Sequence, residues 1–105
     1  MVIVETHVFT KLICDLLSDE QLRRLQLALL LRPQQGVLVP GGSGLRKLRW
    51  GKPGRGKRGG LRVLYYWDSE CDRIYMIYVY DKTKASDLSK AQLTELARVV
   101  REEFR

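Results

Sequence analysis

Apolar positions along the chain alternate between two periods, and each stretch predicts an element. Val2-Ile3-Val4-Glu5-Thr6 is rich in β-branched residues and predicts a strand. From Val8 to Leu17, apolar residues stand at 8, 9, 12, 13, 16 and 17, close to helical spacing. Ser18 precedes Gln21 by three, a capping-box pattern that starts a second helix. That helix gathers Leu22, Leu25, Ala28 and Leu29 on one face. It stops before Pro33, whose ring disfavours helical geometry at Arg32. Gln34 to Gly44 is rich in Gly and Pro and reads as a loop. Leu45 to Trp50 predicts a strand with basic residues on both faces. Gly51 to Gly60 holds five glycines, a proline and four bases, the composition of an exposed mobile loop. Leu61 to Trp67 and Arg73 to Tyr80 are strong strand patterns around a polar turn at 68–72, hence a hairpin. Ser89 with Gln92 repeats the capping box. The helix after it carries Leu93, Leu96, Ala97, Val100 and Phe104 on one face.

The resulting order is strand, helix, helix, three strands, helix (β-α-α-β-β-β-α). Such an order predicts an α+β fold: a small twisted, mostly antiparallel sheet with a helical hairpin and a C-terminal helix. One sheet face should pack on the helices. The other should be partly open, because it carries too many charges to bury. The chain has 105 residues, the size of one domain spanning 1–105. That length excludes large multidomain enzymes and most doubly wound cofactor-binding folds.

Composition narrows the chemistry further. No apolar run approaches ~18 residues, so no transmembrane helix and no membrane role are expected. The N-terminus lacks the basic and apolar regions of a signal peptide, and the expected location is the cytoplasm. Cys14 and Cys71 fit no metal or redox spacing and read as reduced thiols. With one histidine and no cysteine cluster, neither a metal site nor a cofactor is expected. The net charge is +7, and it is concentrated. Residues 1–40 hold four acids and four bases, and residues 63–105 hold eight acids and seven bases. Residues 41–62 hold eight bases (Arg46, Lys47, Arg49, Lys52, Arg55, Lys57, Arg58, Arg62) and no acid. Repulsion within that segment has to be offset, and a polyanion is the usual partner.

Two phosphate-binding patterns fail on inspection. Gly51-x-x-x-x-Gly56-Lys57 begins like a P-loop. Arg58 then stands where Ser or Thr is required, and no helix follows. Gly54-x-Gly56-x-x-Gly59 matches the dinucleotide fingerprint, but a strand follows it. His7 with Glu5 is a conceivable acid–base pair on one strand face, though structural or surface roles suit both better. Tyr65, Tyr66, Trp67, Tyr75, Tyr78 and Tyr80 crowd the hairpin. Core packing explains most of them, and one or two are available to stack on bases. The informative constellation is Lys47, Arg49 and Arg62. Strand alternation places Lys47 and Arg49 on one face, with Arg46, Leu48 and Trp50 on the other. Pairing with the next strand brings Arg62 to the Lys47 face, and Lys82 and Lys84 follow the last strand at the rim.

The stretches Gly44-Leu45-Arg46-Lys47-Leu48-Arg49, Gly60-Leu61-Arg62-Val63-Leu64-Tyr65-Tyr66 and Tyr80-Asp81-Lys82-Thr83-Lys84-Ala85-Ser86-Asp87-Leu88 resemble the RelE/HigB superfamily of bacterial toxins. The likeness extends over nearly the whole chain and is nearest to a HigB-like branch. The resemblance implies a toxin of a two-gene toxin–antitoxin module that enters the ribosomal A site and cleaves mRNA there. It implies a metal-independent endoribonuclease (an mRNA interferase) on a small twisted sheet with helices on one side. Partners would be the 70S ribosome, mRNA and a cognate antitoxin with its own DNA-binding domain, through which alone operator DNA is contacted. Lys47, Arg49 and Arg62 match the basic positions of the family's active face. RelE itself has a further Arg and a Tyr after the last strand. Here that stretch reads Lys82-Thr83-Lys84, with Ser89 near the Tyr position, so the general acid and base stay unassigned.

Self-cleavage of RNA runs by attack of a 2′-OH on the adjacent phosphorus, leaving a 2′,3′-cyclic phosphate and a 5′-OH. A protein has to position the nucleotide, take the 2′ proton, neutralise the phosphorane and protonate the leaving oxygen. Arg62 suits the phosphate clamp, because its fork matches two oxygens. Lys47, Lys82 or Lys84 would transfer protons. Arg49, Arg46 and Tyr80 would hold the substrate. Lys52, Arg55, Lys57 and Arg58 in the glycine-rich loop would grip rRNA backbone. The alternative is a non-catalytic basic module that binds RNA or the ribosome through the same segment.

Overall fold

The computed structural model describes residues 1–51 and 60–105. Among the described residues, five strands form one sheet in the order β1-β5-β4-β3-β2. They are β1 (Val2–Glu5), β2 (Val37–Leu38), β3 (Leu45–Trp50), β4 (Leu61–Asp68) and β5 (Arg73–Asp81). Helices α1 (His7–Ile13) and α2 (Asp19–Leu31) connect β1 to β2, and α3 (Lys90–Val99) follows β5 and widens into a π-type turn over Val100–Phe104. The expected α+β architecture holds: three pairings are antiparallel, and only β1 runs parallel to its neighbour β5.

Local chemistry explains the helix starts. Thr6 ends the first strand by capping α1, its hydroxyl accepting from Phe9 N at 3.1 Å. Both expected capping boxes form, Ser18 with Gln21 on α2 and Ser89 with Gln92 on α3. Each satisfies backbone N–H groups that would otherwise face water unpaired.

The sheet separates two apolar layers. On one face, Phe9, Ile13, Leu25 and Leu29 of the helical hairpin meet Leu48, Leu61, Val63, Tyr65, Ile74, Met76 and Val79. On the other, Leu45, Leu64, Tyr75 and Ile77 meet Leu93, Leu96, Val100 and Phe104. Tyr75 and Phe104 stack with ring centroids 4.1 Å apart. This second layer corrects the expectation that helices lie on one side only. The amphipathic pattern of α3 requires an apolar surface, and the part of the sheet contributed by Leu45, Leu64, Tyr75 and Ile77 is apolar enough to supply it. The basic residues crowd the remainder of that face.

Two further departures are local. The stretch 34–44, expected as pure loop, contains β2 paired with Lys47 and Arg46. Ser43 at φ 60° and the glycines Gly41 and Gly44, also at positive φ, turn the chain back into β3. The strand β5 carries one residue more than its partner, since Met76 pairs with Tyr65 while Tyr78 pairs with Leu64. Ile77 is the extra residue of this bulge, and its carbonyl accepts from the Thr6 hydroxyl at 2.9 Å.

Candidate nucleic-acid interface

Strand register builds the site row by row. Arg49 lies opposite Arg62, and Arg62 lies opposite Tyr80, so three strands contribute one row. One step along, Lys47 lies opposite Leu64, which lies opposite Tyr78. Alternation puts both rows on the face that α3 only partly covers. The expected grouping of Lys47, Arg49 and Arg62 on one face is therefore present. Arg49 is exposed, Lys47 half-buried and Arg62 buried at 7% exposure. Two guanidinium groups directly opposed on neighbouring strands repel each other, and this concentrates positive potential on the exposed side of the row.

The turn after β5 delivers the remaining members. Asp81 is buried, and its Oδ1 accepts from Thr83 N (3.0 Å) and Thr83 Oγ1 (2.6 Å). Lys82 N donates to Gly60 O at 2.6 Å, tying the turn to the residue just before β4. A Cβ on Gly60 would lie 2.6 Å from Asp81 Oδ1, so a larger residue there would have to displace the Asp81 carboxylate from Thr83. Lys82 therefore emerges beside the start of the strand that bears Arg62. Lys84 stands exposed in the same turn, its backbone N–H donating to Asp81 O at 3.0 Å.

One acid that the charge pattern did not single out completes the cluster. Asp87 Oδ1 accepts from the Tyr80 hydroxyl at 3.0 Å, and Asp87 Oδ2 faces Lys82 Nζ at 3.4 Å. Burial, then the bond to Asp87, push the Tyr80 phenol up to about 12, so it is a neutral hydrogen-bond donor at physiological pH. The Tyr80 bond, followed by the charges of Lys82 and Lys47, holds the Asp87 carboxyl below the usual carboxylate range against the effect of desolvation. Asp87 lies within the stretch 80–88 that carries the family resemblance, and that was the available signal for it.

Other expected site residues fall elsewhere. Arg46 projects to the opposite face, where its NH1 donates to Gln34 O (3.0 Å) and Gly36 O (2.8 Å). It fastens the segment between α2 and β2, which is a structural task. Lys52, Arg55, Lys57 and Arg58 lie outside the described residues. His7 opens α1 on the surface instead of extending a strand beside Glu5. Glu5 is occupied in binding Thr10 Oγ1 (2.7 Å) and Gln26 Nε2 (2.9 Å). An apolar groove of about 370 Å³ lies between Val8, the bulge and α3, lined by residues other than the basic cluster. Among the described residues, no group of three or more His, Cys, Asp or Glu side chains is arranged to hold a metal, and no helix is long and apolar enough to cross a membrane. No protein-family model matches the chain.

Proposed function

We propose that this chain is an endoribonuclease toxin of the RelE/HigB kind, which arrests translation in the cytoplasm by cutting mRNA in the ribosomal A site. A separate antitoxin with a DNA-binding domain would hold it in check. The observation that supports the reading best is the row Arg49–Arg62–Tyr80 with Lys47 and Lys82 beside it. Strands lie about 4.8 Å apart, so neighbouring members of the row are spaced to share a single phosphodiester.

In this reading Arg62 clamps the non-bridging phosphate oxygens. Its buried stem fixes the fork, and its charge offsets the negative charge that grows on the phosphorane. Arg49, at the exposed end of the row, orients the adjoining nucleotide. Proton transfer falls to Lys47 and Lys82, since a guanidinium keeps its proton in proteins. Lys82 carries its ammonium against Asp87, which suits it to protonate the departing 5′ oxygen. Lys47, reacting as the neutral amine, takes the 2′ proton as the 2′ oxygen bonds to phosphorus and the P–O5′ bond breaks. Tyr80 closes the row's inner end with a flat ring, its hydroxyl donating to Asp87.

The test is mRNA cleavage with and without purified ribosomes, for the native chain and Arg62→Ala, with 5′ ends mapped by primer extension. Cuts on translated mRNA only, lost in the variant, are the expected result. Cuts on naked RNA would retain the enzyme and remove the ribosome from the mechanism. Absence of cuts with ribosome binding intact would replace the enzyme by a binding module.

A further inference from the structure

The geometry points to Asp87 as the positioning residue of this site, a carboxylate that fastens the Lys82 ammonium to the Tyr80 hydroxyl and so sets where Lys82 meets the scissile phosphate. The inference rests on the ribonuclease reading and adds a residue to it.

An acid is out of place in a surface meant for RNA. By charge alone Asp87 repels the phosphate that Lys47, Arg49, Arg62 and Lys82 attract. Its retention there calls for a compensating task, and its two contacts show one. Tyr80 is only 8% exposed, and its ring is fixed in the row beside Arg62. Its hydroxyl is therefore a rigid point at the edge of the turn after β5. Asp87 binds that point with Oδ1 and reaches Lys82 with Oδ2. Without this link a lysine has a flexible stem and many rotamers, and holding it in one costs entropy at the moment of reaction. The backbone bond from Lys82 N to Gly60 O fixes the root of the side chain, and Asp87 fixes its tip. The relay runs from a buried ring, through an exposed carboxylate, to the reacting ammonium.

The experiment compares the native chain with Asp87→Asn, Lys82→Met and the double variant, all checked for folding by circular dichroism. Cleavage on ribosomes gives maximal rate and half-saturation separately. Tyrosine labelled at the ring carbon bearing oxygen gives the Tyr80 titration by NMR. Expected for Asp87→Asn is a roughly 10- to 100-fold fall in maximal rate, the usual scale for a lost positioning contact. Half-saturation should stay the same or improve, because a negative charge has gone. Tyr80 should titrate at lower pH than in the native chain. In the Lys82→Met background the further loss from Asp87→Asn should largely vanish, since the two act through one contact.

An unchanged maximal rate with tighter half-saturation would overturn the inference and leave Asp87 as a brake on affinity. An equal loss in both backgrounds would overturn it as well. If the native chain cuts no RNA, the ribonuclease reading fails, and the tether is judged by the Tyr80 titration alone. A shift there supports it, and an unmoved Tyr80 ends it.

Discussion

Replacing Arg49 by glutamine should strengthen the fold and weaken the function together. Arg49 faces Arg62 directly across the β3–β4 pair. Directly opposed residues have Cβ atoms about 4.5–5.5 Å apart, and like charges so placed are unfavourable by roughly 0.2–1 kcal/mol. Glutamine keeps a polar side chain at this exposed strand position and removes the charge. The folded state should gain about 0.5 kcal/mol, a rise in Tm of roughly 2–4 °C for a domain of this size. The gain should shrink as salt is added, because the screening length falls from about 10 Å at 0.1 M to about 3 Å at 1 M. RNA binding should move the other way. A charge-assisted hydrogen bond is worth about 1.5–3 kcal/mol, so affinity for a 2′-O-methyl RNA that resists cleavage should fall by about 10- to 100-fold at low salt. Its salt slope should flatten by about 0.7, the share of one phosphate contact on a single strand. Urea unfolding (a neutral denaturant leaves the repulsion unscreened) and fluorescence anisotropy measure the two sides. A destabilised variant that binds RNA as well as the native chain would refute the claim that Arg49 repels Arg62 and contacts RNA.

Three other outcomes are expected. Serine at Lys52, Arg55, Lys57 and Arg58 should flatten the salt dependence of ribosome binding by about 3 in log–log slope, whereas Arg62→Ala should leave that slope nearly intact; equal losses would refute the division between grip and chemistry. Tyr80, raised to about 12 in the folded protein, keeps a proton that the unfolded chain releases near pH 10, so its stabilising contribution is complete below pH ~10 and is lost as pH climbs toward 12. Tyr80→Phe should therefore reduce the fall in urea midpoint between about pH 10 and 12, and an unaltered fall would contradict this. Tyr65→Phe deletes a hydroxyl that accepts from Gly36 N (2.8 Å) and donates to Pro33 O (2.7 Å). The orphaned groups should cost about 1–3 kcal/mol, and a loss under 0.5 kcal/mol in urea unfolding would show that water replaces the hydroxyl.

Much of the site was legible because strands alternate. Leu48 and Trp50 had to be buried, so Lys47 and Arg49 had to face the other way, and pairing carried Arg62 to them. The same logic put Arg46 with Leu48, away from the cluster. Asp87 was harder to find, because it sits in a turn where no period governs direction and its partners, Tyr80 and Lys82, are defined only by how that turn folds back. The helices were recognisable from capping boxes and spacing. Which sheet face α3 would cover was not, since an amphipathic stripe records that a surface is needed and leaves its location to the tertiary fold. The parallel pairing of β1 with β5 joins residues about seventy positions apart, and local pattern carries no trace of it. β2 has two residues in a stretch rich in Gly and Pro, too short for alternation to register.

The bulge at Ile77 has a consequence for how this chain tolerates changes of length. Ile74, Tyr75 and Met76 occupy alternate faces, and so do Tyr78, Val79 and Tyr80, but the two runs are out of step and one surplus residue reconciles them. Removing that surplus would leave Tyr80 beside Arg62 and return a regular strand, with the loss of one buried side chain and of the Thr6 acceptor as the damage. Removing Tyr78 instead would have the same effect, with Ile77 taking its place opposite Leu64, whereas adding a residue to the strand would have to be absorbed by a second irregularity or would turn one run over. A codon lost at the bulge is thus a modest structural loss, while a codon gained in this strand threatens an exchange of interior for interface. The pair 77–78 is where β5 can lose a residue and keep Tyr80 beside Arg62.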